Sequence, residues 1–245
     1  MGLILRAVAV SDRGPARENN EDSAYAGPRM VAVADGMGGP PAGEVASEIA
    51  IRVIGELADA PDPASISSPL DALLDAVEEA NRRIHDEVQA QRELDGMGTT
   101  MTAMLLSGDR LALVHVGDSR AYLLRRGKLT QLTTDDTFVQ QLVLQGAITA
   151  DQARRHPQRS LVTQAVQGQP VTPASTVIRP VPGDRFLLCS DGLSDVVDDE
   201  LIAQALRDVP DLRDCAGELI ELALSGGARD NVTAVVADIV EVDEA

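Results

Sequence analysis

Four aspartates stand in matching surroundings along the chain. Asp35 follows Val-Ala-Val-Ala, Asp118 follows Leu-Val-His-Val-Gly, Asp191 follows Phe-Leu-Leu-Cys-Ser, and Asp230 stands just ahead of the apolar run Val232–Val240. Each lies where an apolar run meets a turn, and Asp35, Asp118 and Asp191 each have glycine as a neighbour. One acid so placed is a common turn former, and Asp35-Gly36 read alone is equally an Asp-Gly hairpin turn. Converging in one fold, four carboxylates repel strongly at low dielectric unless cations lie between them. An all-oxygen set without clustered His or Cys suits Mg²⁺ or Mn²⁺ better than zinc. Such ions keep several waters, and a water bridging two of them is a strong nucleophile near neutral pH. The electrophile that suits it best is a phosphoryl group, and Arg13 offers a guanidinium able to fork onto phosphate oxygens. Arg13 as a plain surface arginine in a loop, and Arg17–Asp22 as a solvated polar loop, are the competing readings.

The elements that must position these residues follow from hydrophobic period. Leu3–Val10, Ser23–Ala26 and Met30–Ala34 read as strands, the last ending at Asp35, with Gly27-Pro28 turning the second pair. After Pro40-Pro41, apolar residues at helical spacing over Gly43–Ala60 and Leu70 to about Leu94 predict two helices, separated by the Pro- and Ser-rich segment Ala60–Pro69. Thr99–Leu106, Arg110–Val116, Ala121–Arg125 and Lys128–Leu132 predict an antiparallel meander. Short helices at Asp135–Gly146 and Thr149–Arg155 precede strands Val171–Ile178 and Arg185–Ser190. Helices at about Asp198–Asp208 and Leu212–Leu224 then lead to the last strand, Val232–Val240. No long linker or repeat divides this order. The expected fold is a single α+β domain over residues 1–245, a four-layer α-β-β-α sandwich. Two mainly antiparallel sheets pack face to face, each covered by an antiparallel helix pair.

Composition narrows the function classes. The 245 residues carry 21 Lys and Arg against 39 Asp and Glu, a formal net charge of −18, which excludes a general affinity for nucleic acid or anionic membrane. Only 2% is aromatic and Trp is absent, so Ala, Val, Leu and Ile must build the core. Two cysteines make no disulfide framework, and Cys189 and Cys215 read as buried reduced thiols of a cytoplasmic protein. No apolar run is long enough to span a membrane and no signal peptide opens the chain. Met1-Gly2 begins like a myristoylation site, but Arg6 stands where Ser or Thr is needed. The expected location is cytoplasmic, as a whole protein or as the cytoplasmic domain of a longer anchored one.

Seven motifs make the functional reading specific. They are Ser11-Asp12-Arg13-Gly14, Asn20-Glu21-Asp22, Ala34-Asp35-Gly36-Met37-Gly38-Gly39, Gly98-Thr99-Thr100, Val116-Gly117-Asp118-Ser119-Arg120, Cys189-Ser190-Asp191-Gly192-Leu193 and Arg229-Asp230-Asn231-Val232-Thr233. In order and spacing this series resembles the bacterial branch of the metal-dependent serine/threonine protein phosphatases, type 2C. The resemblance implies that Asp35 bridges two Mn²⁺ or Mg²⁺ ions, with the Gly36 carbonyl on one and Asp191 and Asp230 completing the other. It implies that Glu21, Asp22 and Asn231 stand behind these ligands, Glu21 and Asp22 holding metal-bound waters, and that Arg13 grips the substrate phosphate. A third, weaker ion would fall to Asp118 and Asp191, with Ser160 as a contributor. The segment from about Thr133 to Gln167 resembles the family's mobile flap. Phosphorylated proteins, serine/threonine kinases and their substrates among them, are the implied partners of a monomeric enzyme.

The sequence departs from the family at two positions. Met37 stands where the eukaryotic branch has a histidine proposed as the general acid, and Pro40 where bacterial relatives commonly have histidine. Of His85, His115 and His156, only His156 in the flap is placed to reach the site, as a weak acid at most. A metal-bound water is therefore the expected proton donor. Two alternatives stay open. One is a non-catalytic phosphoprotein-binding regulatory module, disfavoured because Asp35, Asp191, Asp230 and Arg13 are all present. The other is the same chemistry on anti-anti-sigma-type regulators.

Overall fold

A computed structural model describes residues 2–39, 41–59 and 68–242. Met1, Pro40 and most of the Pro- and Ser-rich segment after the first helix lie outside the described residues, so the readings made there stay sequence readings. The elements run β1 (Gly2–Asp12), β2 (Asp22–Ala26), β3 (Met30–Met37), α1 (Ala42–Ala58), α2 (Pro69–Ala90), β4 (Gly98–Thr99), β5 (Met101–Ser107), β6 (Arg110–Val116), β7 (Arg120–Arg125) and β8 (Lys128–Gln131). They continue with α3 (Phe138–Leu144), α4 (Ala150–Arg154), β9 (Ala174–Ile178), β10 (Arg185–Cys189), α5 (Asp191–Ser194), α6 (Asp199–Asp208), α7 (Leu212–Ser225) and β11 (Val232–Val242). Among the described residues no helix is long and apolar enough to cross a membrane.

Two antiparallel sheets form. One has the order β1-β11-β10-β7-β8; the other runs β2-β3-β5-β6-β9, with β4 paired to β3. Strand alternation builds the layers. On β3, Val31 and Val33 face the space between the sheets with Leu5, Met104, Leu113, Phe186, Leu188 and Val235. Their neighbours Met30, Ala32 and Ala34 face the other way, onto Ala46, Ile54, Leu73, Val77 and Ile84 of α1 and α2. The outer face of the β1-β11-β10-β7-β8 sheet, with Leu187, Cys189, Ala234 and Val236, packs under Ile202, Leu206, Leu219 and Ala223 of α6 and α7. Period 2 on both faces of each sheet thus produces the expected helix–sheet–sheet–helix sandwich. Both cysteines are buried thiols.

Three local expectations are corrected. Asp35 does not end its strand: β3 continues to Met37 because Gly36 and Met37 pair with Thr99 and Gly98. The expected meander is divided between the sheets, β5 and β6 in one and β7 and β8 in the other. The crossing is made at Gly117, whose φ of +102° suits glycine alone. Ser190-Asp191-Gly192 is not an open turn, since Asp191 starts the one-turn helix α5. Ser190 leaves that helix uncapped because its hydroxyl donates instead to Asp22 Oδ2 at 2.7 Å.

Candidate active site

Register brings the acids to one edge of the sandwich. Asp22 opens β2 directly opposite Asp35 near the end of β3. In the facing sheet, Asp12 at the end of β1 pairs with Val232 at the start of β11, and Cys189 at the end of β10 pairs with both Ala234 and Arg120. Asp230, Asp191 and Asp118 therefore issue from neighbouring strand ends. Two carboxylates directly opposite on a ladder are unfavourable without a counter-charge, and Asp22–Asp35 is such a pair.

The backbone under Asp35 is clamped. Its N–H donates to Thr100 Oγ1 at 2.9 Å, and its carbonyl accepts from Thr99 Oγ1 and from the Thr100 N–H, each at 2.9 Å. Gly36 is required by close approach: a Cβ there would lie 2.1 Å from the Gly43 carbonyl oxygen and 2.6 Å from that of Glu21. This lets the first turn of α1 press against the end of β3. Neither obstruction is a side chain that could swing away, so Gly36→Ala is expected to destabilise the fold by about 3 kcal/mol or more. Thermal melts should show a fall of roughly 6–12 °C; a melt within a degree of wild type would refute the packing role.

Asn231 ties the two sides of the site together. Its Oδ1 accepts the Glu21 N–H at 2.8 Å, and its Nδ2 donates to the carbonyls of Arg13 (2.8 Å) and Asn19 (2.9 Å). Its own N–H donates to Asp230 Oδ1 at 2.9 Å. Every polar group of this side chain is thus spent on holding the 13–21 loop beside Asp230. On the other side, Gly117 and Asp136 bond reciprocally, the Gly117 N–H donating to Asp136 Oδ2 (3.0 Å) and the Asp136 N–H to the Gly117 carbonyl (2.7 Å). That couple fixes Asp118 and the start of the expected flap together.

Burial and mutual repulsion raise the acids. The Asp35 and Asp191 carboxyls lie well above the ordinary range, through burial first and then neighbouring aspartates: Asp22, Asp191, Asp118 and Asp230 around Asp35, and Asp118, Asp195, Asp230 and Asp22 around Asp191. Burial, then Asp135 and Asp195, push Asp118 up to about 7. Burial pushes Asp22 up to about 6 against hydrogen bonds from Ser190 and Thr233 that lower it.

Two clefts open here. One, of about 470 Å³, is lined by Arg17, Ser160, Asp191, Asp195 and Asp230 among others. The second, of about 380 Å³, shares Asp191 and Asp195 with the first and adds Asp118, Arg120 and Asp135. Ser160 of the flap segment therefore shares a wall with Asp191, and Asp118 shares the other cleft with it.

Two expected residues stand elsewhere. The Arg13 guanidinium turns back to donate to the Glu18 carbonyl at 3.2 Å, and it lines neither cleft. It is Arg17 that lines the Asp230 cleft, with Nη2 2.7 Å from Asp230 Oδ2. The signal for Arg17 was its position three residues before Asn20-Glu21-Asp22, on the loop that delivers β2 to the site. His156 accepts the Gln158 N–H on Nδ1 and packs its ring against Phe138, outside both clefts. His115 is buried, with Nδ1 2.9 Å from Thr102 Oγ1 and Nε2 3.2 Å from the Thr134 carbonyl. His85 is exposed on α2.

The donor set fits hard divalent cations. Asp22 Oδ1 is buried with no hydrogen-bond partner, and a cation in the cluster would reverse the repulsion that raises these carboxyls. Among the described residues no three acidic, His or Cys side chains already close into a cage. Mg²⁺ and Mn²⁺ complete such open sets with water.

Comparison with known proteins gives the chain's relatives. Residues 18–232 match the protein phosphatase 2C family. Over 241 residues the chain is 54% identical to the serine/threonine protein phosphatase PstP of Mycobacterium tuberculosis, covering 98% of this chain and 46% of that protein. The chain therefore spans about half the length of this relative. It is 36% identical to a putative protein phosphatase 2C-type of Streptococcus pyogenes, covering 91% of this chain and 93% of that one. A crystal structure of the PstP catalytic domain in complex with two manganese ions superposes with a TM-score of 0.90 at 52% identity, covering 98% of this chain and all of that one. The chain belongs to the protein phosphatase 2C family.

Proposed function

We propose that this chain is one catalytic domain, with a flap at about 133–167, that hydrolyses phosphoserine and phosphothreonine in proteins with Mn²⁺ or Mg²⁺. The observation that carries this is the placing of Arg17 on Asp230, beside Asp191, in a cleft that Asp195 also lines. Asp35, the Gly36 carbonyl, Asp191 and Asp230 would hold two ions, and Asp118 with Asp191 and Ser160 a third. When bound, such ions activate water and neutralise phosphoryl oxygens. Arg17, whose guanidinium now donates to Asp230, would orient the phosphate by a forked contact, and Asp230 would serve as a ligand of the cation. Glu21, Asp22 and Asn231 stand behind the ligands, Asn231 through the bonds that fix the 13–21 loop. Because no imidazole lines the described clefts, water and not histidine protonates the leaving alkoxide.

We further propose phosphorylated proteins, serine/threonine kinases first among them, as partners of a monomeric enzyme. A phosphothreonine peptide assayed with Mn²⁺ is expected to release phosphate. Chelation with EDTA should abolish that release, and Asp191→Ala should lower it by on the order of 10³-fold. Activity surviving either change would sink the metal mechanism, and a wild type that binds the peptide without turnover would favour a phosphoprotein-binding module.

A further inference from the structure

The cleft that holds Arg17 has two more arginines in its wall, and neither has a task in the chemistry above. Arg229 immediately precedes Asp230, and Arg159 immediately precedes Ser160. The other arginines around the two clefts are engaged: Arg17 with Asp230 (2.7 Å), Arg120 with Asp135 (2.6 Å) and Arg154 with Asp198 (2.8 Å). Arg159 reaches Asp195 only loosely, at 3.6 Å, and its side chain is half exposed. Arg229 is exposed and makes no hydrogen bond or ion pair among the described residues. In a chain with 39 acidic residues against 21 basic ones, this cleft sets three arginines against Asp191, Asp195 and Asp230, and Arg229 and Arg159 are the two guanidiniums not closely paired.

We propose that Arg229, with Arg159 on the same cleft, forms a second anion-binding position beside the scissile phosphate. The enzyme would then favour phosphopeptides that carry a further phosphate or carboxylate near the one removed. The inference rests on the phosphatase reading and narrows its substrate class.

Chain geometry supports the span. Side chains two residues apart on an extended peptide lie on one face, about 7 Å from each other, and consecutive residues 229 and 230 have Cα atoms about 3.8 Å apart. A substrate whose first phosphate is held at Arg17 and Asp230 thus keeps a +2 or −2 anion within the reach of a long arginine side chain. Phosphate can take both oxygens onto one guanidinium, so it should be preferred to a carboxylate. The loose Arg159–Asp195 contact is one an incoming dianion can displace. Both arginines border acids that bound cations would neutralise, so the preference belongs to the Mn²⁺-loaded enzyme.

The test uses the full chain saturated with Mn²⁺ and one phosphothreonine peptide in three forms. The +2 residue, and in a parallel set the −2 residue, is alanine, glutamate or a non-hydrolysable phosphonate. Wild type is expected to show kcat/KM on the order of tenfold higher for the phosphonate than for the alanine peptide in at least one set, with glutamate between them. The ratio should shrink at high salt, as for any partly exposed charge pair. Arg229→Gln should bring the ratio near one and Arg229→Glu below it, while Arg207→Ala, on α6, should leave it at the wild-type value. Because the readout is a ratio within one preparation, a general loss of activity in a variant does not mimic the result. Hydrolysis without discrimination by wild type, or a full ratio in Arg229→Glu, would overturn the second position alone. If no peptide were hydrolysed, the phosphatase reading itself would fail and this inference with it.

Discussion

Asp35→Asn is expected to lower phosphatase turnover by on the order of 10³-fold while making the metal-free protein more stable. The two halves have one cause. Asp35 stands directly opposite Asp22 on the β2–β3 ladder, and its carboxyl is held well above the ordinary range by burial and by four other aspartates. An acid whose folded pKa exceeds its unfolded value binds its proton more tightly when folded. Its contribution is therefore neutral at low pH and becomes a growing cost as pH rises through the unfolded value. At neutral pH, above the unfolded value, that cost is present when no cation is bound, and the isosteric amide removes it. Differential scanning should show metal-free Asp35→Asn melting roughly 2–6 °C above metal-free wild type. Mn²⁺ should then raise the melting temperature of wild type and scarcely move that of the variant, since a ligand stabilises only through the state that binds it. A variant that melts lower without metal, or that gains as much from Mn²⁺ as wild type, would show that Asp35 is structural.

The same pair explains which parts of the site were legible in the sequence. The layers were, because period 2 on Met30–Ala34 and Phe186–Cys189 and period 3.6 on α1, α2, α6 and α7 each point to one face. The acids were as well, because each follows or precedes a buried run whose end must reach the sandwich edge. What the pattern could not carry was the side on which a chain crosses. Short turns join strands β5 to β8 throughout, and positive φ occurs at Gly108 and Gly127 in the hairpins as well as at Gly117 in the crossing, so nothing in the pattern marks which turn sends β7 to the other sheet. Nor could it show that Gly36 prolongs β3 by letting two backbones touch, since that contact joins residues 36 and 43 through the absence of side chains.

The direction of the two arginines was not legible for a related reason. Arg13 and Arg17 share one loop, and composition does not distinguish them. Loop direction is set by Asn231, 210 residues from Glu21, whose amide holds the carbonyls of Arg13 and Asn19. With its carbonyl spent on Asn231 and its guanidinium on Glu18, Arg13 stays within the loop, while Arg17 reaches Asp230. Long-range polar anchors of this kind leave no periodic trace.

The consequence is a pair of variants with opposite expectations. Arg17→Ala should reduce kcat/KM for a phosphothreonine peptide by about 10²-fold, chiefly through KM, because a forked guanidinium–phosphate contact binds ground and transition states alike. Arg17→Lys should recover only part of the loss, a point charge being unable to span two oxygens. Inorganic phosphate should inhibit Arg17→Ala more weakly by a similar factor, which separates phosphate binding from damage to the fold. Arg13→Ala should stay within about twofold of wild type, since that side chain contacts only an exposed carbonyl. The Asp230 partnership gives a further check. Removing Arg17 frees Asp230 Oδ2 without touching the Asn231 N–H on Oδ1, so Mn²⁺ titrations of Arg17→Ala should show affinity kept or modestly improved. If Arg17→Ala lost Mn²⁺ binding in step with activity, Arg17 would be holding Asp230 in place for the cation. If Arg13→Ala produced the phosphate-binding defect instead, the loop in the working enzyme would have to turn the other way.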